Sequence, residues 1–143
     1  MTAPETPPVL SDEARRFLSA PRFGIVSCLN PDGSPLQAVI WYQLEGDAVV
    51  FNSLAGRLWP TNIARDPRVS LTVADGYDYV DVRGVAEIDD DPARGLEVIS
   101  ALTRRYHSDD PANIAANIAR FSGERRVTFT LRPTRVFERL SGK

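Results

Sequence analysis

The sequence is poor in the residues on which most protein chemistry leans. Its 143 residues include one cysteine, Cys28, and one histidine, His107. A lone cysteine excludes an intrachain disulfide, and no Cys/His spacing suggests zinc, so no metal site is expected. Cys28 lies inside an apolar stretch, where a thiol reads as a small core residue rather than a nucleophile. No run approaches the ~20 apolar residues of a membrane span. The opening "MTAPETPPVL" lacks the basic start and apolar centre of a signal peptide. These absences predict a cytoplasmic protein with no membrane partner. A basic excess is missing as well: 17 Lys and Arg stand against 19 Asp and Glu, a formal net charge of −2. Nucleic acid is therefore not an expected partner, and Arg104-Arg105 and Arg125-Arg126 read as solvated faces or local anion contacts.

The common catalytic signatures are missing too. There is no Gly-x-Ser-x-Gly elbow, no Walker lysine motif and no Gly-x-Gly-x-x-Gly turn. His107 follows a helix end and reads as a C-terminal cation. Asp89-Asp90-Asp91 and Asp109-Asp110 directly precede Pro92 and Pro111, the pattern of helix caps rather than of paired catalytic acids. No catalytic residue can be named.

What is present is a series of short strands. Residues 1–10 predict a flexible arm, and 11–143 a single domain. Ser11 suits an N-cap, with a helix that stops before Pro21. "RFGIVSCLN" carries Ile25, Ser27 and Leu29 on one face and Val26 and Cys28 on the other. The turn "NPDGSP" leads to "LQAVIWYQL", and "EGD" leads to "AVVFNSL". Such tight turns predict a three-stranded antiparallel meander. "RVSLTV" alternates cleanly, "YVDVRGVAEI" carries Gly84 as a bulge or close approach, and "RRVTFTLRP" and "RVFERL" alternate again. "DDPARGLEVISALTRRY" is the long helix, followed by a helical piece from Asp110-Pro111 to about Phe121. Six or seven strands with peripheral helices, and no regular strand–helix alternation, predict a mainly β fold of closed-barrel type.

One segment gathers ligand-binding chemistry. From Asn52 to Val73 a strand ends in small polar side chains, Asn52 and Ser53. Gly56-Arg57 turns the chain, and Trp59-Pro60 opens a short helix. Arg57 supplies a guanidinium beside the helix's first N–H groups, a geometry suited to an anion, although Pro60 removes one donor. Trp59 suits two roles: covering a flat ring system, or plugging the barrel end. Taken alone, the segment reads more readily as a surface crossover, because Trp-Pro helix starts and Asp-Pro breakers are common.

The order of these pieces, with "NPDGSP", "NIARDPRV" and "VRGVAE" as the most specific, resembles the pyridoxamine 5′-phosphate oxidase-like split barrels. Within them it is most similar to the actinobacterial branch that uses the deazaflavin coenzyme F420. The resemblance implies a six-stranded antiparallel split barrel that forms a homodimer with two cofactor sites at the interface. Gln37, Ala38, Val39 and Trp41 would then pass the ring of F420, or alternatively of FMN. Asn52, Ser53 and Arg57 would approach its polar edge or phosphate, and Asn62 would anchor the helix behind them. Tyr77, Tyr79 and Tyr106 would reach the site from the partner subunit. The family often has a lysine three residues before that asparagine, where this chain has Trp59. The implied activity is hydride transfer from reduced F420 to a small enone, imine or quinone. The alternatives are an FMN-binding oxidoreductase, or a non-catalytic flavin-, deazaflavin- or haem-binding protein.

Overall fold

A computed structural model describes residues 10–141. Helix α1 (Asp12–Ser19) starts where expected, with the Ser11 Oγ accepting the Ala14 N–H at 3.0 Å. Residues 1–9 of the expected arm lie outside the described residues. Its last residue, Leu10, is buried in the core.

Seven strands follow: β1 (Gly24–Leu29), β2 (Pro35–Ile40), β3 (Gln43–Glu45), β4 (Ala48–Leu54), β5 (Arg68–Asp75), β6 (Asp78–Asp89) and β7 (Arg126–Arg139). Helix α2 (Leu58–Arg65) joins β4 to β5, and α3 (Pro92–Tyr106) and α4 (Pro111–Phe121) join β6 to β7. The strands form one antiparallel sheet in the order β2-β1-β5-β6-β7-β4-β3. The fold is thus mainly β, as expected, but with seven strands rather than six.

Three local differences explain the count and the topology. The expected second strand breaks at Trp41-Tyr42, because the Tyr42 ring turns into the core with no exposure, and its hydroxyl donates to the Leu18 carbonyl at 3.0 Å. The expected meander is split there: β1 pairs with β2, and β3, the end of the expected second strand, pairs with β4, but β2 and β3 lie at opposite edges of the sheet and β4 takes β7 as its other neighbour. Burial on both faces demands this, since Val49 and Phe51 enter the core while Val50 packs under Val98, Ile99 and Leu102 of α3. Finally, the last two expected strands are one. β7 runs through Pro133, whose missing N–H is tolerated at a bulge opposite Arg83 and Gly84. A Cβ at Gly84 would stand 2.5 Å from the Arg132 carbonyl oxygen, so the close approach there requires glycine.

The strand order also dictates the sheet's shape. β2 and β3 are its opposite edges, yet only Trp41 and Tyr42 separate them in sequence. Three Cα–Cα steps span at most about 11 Å, so the sheet must roll until its edges nearly meet. The result is a barrel with an open seam. Val26, Val49, Phe51, Leu71, Phe129 and Leu131 fill it, all with no exposure.

Candidate cofactor site

Six of the thirteen sequence-derived site residues meet at the seam. A cavity of about 250 Å³ opens beside it, lined by Val39, Ile40 and Trp41 from the β2 edge. Asn52 and Ser53 come from the end of β4, and Arg57 and Trp59 from the turn into α2. Gly56, at φ +92°, makes that turn possible. Ile99 and Leu102 of α3, Phe121 of α4, Phe23 before β1 and Arg126 at the start of β7 complete the wall.

One end is apolar and aromatic. Trp41 stacks on Tyr106 at 5.0 Å with planes 8° apart, and His107 meets its ring edge-on at 5.3 Å. The Tyr106 hydroxyl donates to the Arg22 carbonyl at 2.6 Å, so Tyr106 stiffens Trp41 from outside the cavity lining. Val39 and Phe23 remain 66% and 62% exposed at the rim, a large exposure for such side chains.

The other end is polar and cationic. Ser53 is buried, and its Oγ has no hydrogen-bond partner. Asn52 Nδ2 donates to the Gly95 carbonyl of α3 at 3.1 Å, and its Oδ1 accepts from Arg126 Nη1 at 3.3 Å. Arg126 is buried and paired with Glu124, so of the two expectations for it the local anion contact fits and the solvated face does not. Burial pushes its pKa down; the Glu124 carboxylate pulls it back up, and the charges of Arg57 and Arg120 press it down again. The Arg57 guanidinium is exposed, with no hydrogen bond or ion pair among the described residues.

These features, from the rolled antiparallel sheet to the seam cavity, accompany a family match over residues 10–139, to the family described as pyridoxamine 5′-phosphate oxidase. The chain belongs to that family. No curated protein matches it in sequence. Among solved structures it is similar to an F420 reductase, at 28% identity over 90% of this chain and 98% of the other, with a TM-score of 0.70. It is also similar to the conserved hypothetical protein Rv2991 from Mycobacterium tuberculosis, at 26% identity over 96% of this chain and 89% of that one, TM-score 0.77. The General Stress Protein 26 of Bacillus anthracis, at 18% identity, 86% and 88% coverage and a TM-score of 0.62, shares the fold.

The remaining site residues of this family member lie elsewhere. Asn62 is buried behind α2, where its Nδ2 donates to Asn30 Oδ1 at 2.9 Å and its Oδ1 accepts from Arg65 at 3.0 Å. It therefore ties α2 to the end of β1. Pro60 is buried at the third position of α2. Gln37 lies on the outer face of β2 and donates to Ser27 at 3.1 Å, and Ala38 faces the core. Tyr77 is 87% exposed on the β5–β6 turn and Tyr79 follows in β6; neither lines this cavity.

Sequence reasoning missed Phe23, Ile40, Ile99, Leu102, Phe121 and Arg126. The apolar stripe of α3 was visible, but not which strand it would cover. Two larger clefts have different chemistry. A groove of about 550 Å³ on the outer face of β1, β5 and β6 has no aromatic lining. In a cleft of about 370 Å³, Arg94 is paired with Glu45 and Arg132 with Glu87. No helix among the described residues is long and apolar enough to cross a membrane.

Proposed function

We propose that the chain is an F420-dependent oxidoreductase that reduces a small unsaturated acceptor. The observation that carries this reading is the polarity of the seam cavity. An aromatic and aliphatic wall, Trp41, Val39 and Phe23, grades into Ser53, Arg57 and Arg126. A flat heterocycle bearing a phosphate has the same gradation. The unpartnered Ser53 Oγ and the free Arg57 guanidinium fit such a group, since each gains a partner when one binds.

When bound, the reduced deazaflavin supplies the hydride, and the protein supplies position and exclusion of water. Trp41, held by Tyr106, would set the depth of the ring, and Ser53 would meet its polar edge. Arg57 would take the phosphate. The titratable groups lining the cavity are guanidinium groups and the buried Cys28 is not among them. Guanidinium groups stay protonated near neutral pH, so the lining of one protomer supplies no acid, and the proton would come from water or from a group of the second copy. At about 250 Å³ the cavity is smaller than the roughly 300–1,000 Å³ of most ligand pockets. The exposed Val39 and Phe23 at its rim support a homodimer in which a second copy completes the wall. Tyr77, on its exposed turn, could serve only through such a partner.

FMN is the second reading, because riboflavin-type rings share the same gradation from flat apolar face to phosphate. A non-catalytic carrier is the reading from another class. Parallel titration with F420, FMN and haem separates them. Binding of F420 with turnover of an enone or quinone panel supports the reductase, and tight binding without turnover supports a carrier. If none binds below roughly 100 μM, about −5.5 kcal/mol, the cofactor reading fails.

A further inference from the structure

One side chain in the cavity wall has hydrogen-bonding capacity left over. Arg126 has five N–H donors. Its Nε and Nη2 both reach Glu124 Oε1, at 3.2 and 2.8 Å, and its Nη1 reaches Asn52 Oδ1 at 3.3 Å. Three donors are used and two are not. On the surface, spare guanidinium donors would simply face water. Arg126 is only 8% exposed, in the wall of the cavity, so what fills the cavity must satisfy them.

The surroundings fix the guanidinium in place. It lies over the Phe121 ring at 4.6 Å, and Arg120 lies over the same ring at 4.9 Å. Asn52 cannot rotate away, because its amide is anchored to the Gly95 carbonyl at 3.1 Å. Charge is unbalanced here: Glu124 is the one carboxylate paired with Arg126, while Arg57 and Arg120 add two further cations nearby. The unpartnered, buried Ser53 Oγ on the same wall points independently to a polar occupant. Trp59 brings no charge. The site is thus a rigid fork with two free prongs and a local positive excess, the complement of a phosphate, which accepts bidentate N–H donation.

We propose that Arg126 is the specificity-determining residue that makes this cavity select a phosphorylated ligand over its dephosphorylated counterpart. The proposal rests on the flavin-type reading for the ring but not for the phosphate. Arg57, exposed, supplies charge; Arg126 supplies geometry.

The test measures dissociation constants of FMN against riboflavin, and of F420 against its dephosphorylated chromophore, for wild type, Arg126→Lys and Arg126→Gln. Thermal midpoints with and without inorganic phosphate are recorded for all three. A charge-assisted bidentate contact predicts that wild type favours the phosphorylated partner by about tenfold or more, and that Arg126→Gln brings the ratio to within roughly threefold of unity. Arg126→Lys, which keeps the charge and loses the fork, falls between. Affinity for the dephosphorylated ligands stays near wild type. Equal losses for both ligands in a pair would mean that Arg126 only supports the wall, and would overturn the proposal, as would an unchanged ratio. If wild type binds neither chromophore, the flavin-type reading falls while the phosphate arm still decides. A phosphate-induced rise in midpoint that is present in wild type and lost in the variants sustains Arg126 as the anion fork, and its absence in wild type removes it. Should Arg126→Gln fail to fold, Arg126→Lys carries both arms.

Discussion

The indole of Trp59 packs against Phe129 with ring centroids 5.7 Å apart and planes at 46°, and against Phe51 at 6.0 Å. Phe51 and Phe129 are themselves cross-strand partners of β4 and β7, 5.5 Å apart. The three rings close one end of the barrel. Of the two roles that Trp59 suits, the structure gives it the plug, while one edge of it still lines the cavity. Aromatic pairs of this geometry contribute about 0.5–1.5 kcal/mol each beyond their buried area. Trp59→Lys should therefore not act as a simple gain of charge. It is expected to cost about 2 kcal/mol or more of unfolding free energy in urea. A variant as stable as wild type would show that the ring trio does not support the barrel end.

Arg57 makes the opposite prediction. Its side chain is exposed and unpaired among the described residues, so Arg57→Ala should leave stability within about 0.5 kcal/mol of wild type. Affinity for a phosphorylated chromophore should fall about tenfold or more, the loss expected for one charge-assisted contact. An unchanged dissociation constant would move the anion away from the α2 turn.

Both tryptophans of the chain, Trp41 and Trp59, line the same cavity. A chromophore bound there should quench nearly all the intrinsic tryptophan fluorescence. Trp41→Phe and Trp59→Phe should each retain quenching of the remaining tryptophan. Saturation that leaves half the emission untouched would put the ligand elsewhere, for instance in the groove beside Ser70 and Val85.

Local signals in the sequence were reliable where the chemistry is local. Ser11 and Asp91 cap α1 and α3 through their own side chains, and Pro92 and Pro111 open helices as their lost N–H allows. Gly84 marked the bulge because only backbone crowding was at stake. What could not be read was pairing at a distance. Nothing in Val49–Ser53 says that β7, more than seventy residues away, will be its partner. That choice follows from which strand needs cover on both faces, and the cover is α3. The burial of Arg126 was hidden for the same reason. A guanidinium after Glu124 looks solvated until α3, α4 and Asn52 enclose it. Arg57 was legible because its place in the turn depends on neighbours in sequence, whereas the break at Trp41-Tyr42 depends on the Leu18 and Ala20 carbonyls that receive the Tyr42 hydroxyl.

Gly84→Ala tests the bulge. The added methyl would meet the Arg132 carbonyl oxygen at 2.5 Å, and that atom belongs to the backbone, so it cannot swing aside. Relief requires β6 and β7 to part where their register shifts. A cost of about 1–3 kcal/mol, at the upper end of that range or beyond it, is expected. Chemical unfolding reads it directly, and a loss under 0.5 kcal/mol would mean the ladder adjusts there at little cost.

Tyr42 yields a pH dependence. Its hydroxyl donates to the Leu18 carbonyl at 3.0 Å, at the end of α1, and its ring is fully buried. Arg105 reaches the same helix end, donating to the Leu18, Ser19 and Ala20 carbonyls at 2.8–2.9 Å. Burial, with the neighbouring Tyr106 adding to it, pushes the Tyr42 phenol up to about 12, against the counter-pull of Arg105. The folded state thus holds the proton more tightly than the unfolded chain, where tyrosine ionises near 10. The sign follows: the contribution is complete below about pH 10 and is lost as pH rises through the folded value near 12. Two units correspond to about 2–3 kcal/mol. Tyr42→Phe removes the ionisation together with the hydrogen bond, so it should cost about 1 kcal/mol at neutral pH. It should also flatten the fall in unfolding free energy between pH 10 and 12. Wild-type and variant curves that fall in parallel across that window would show that another group carries the alkaline transition.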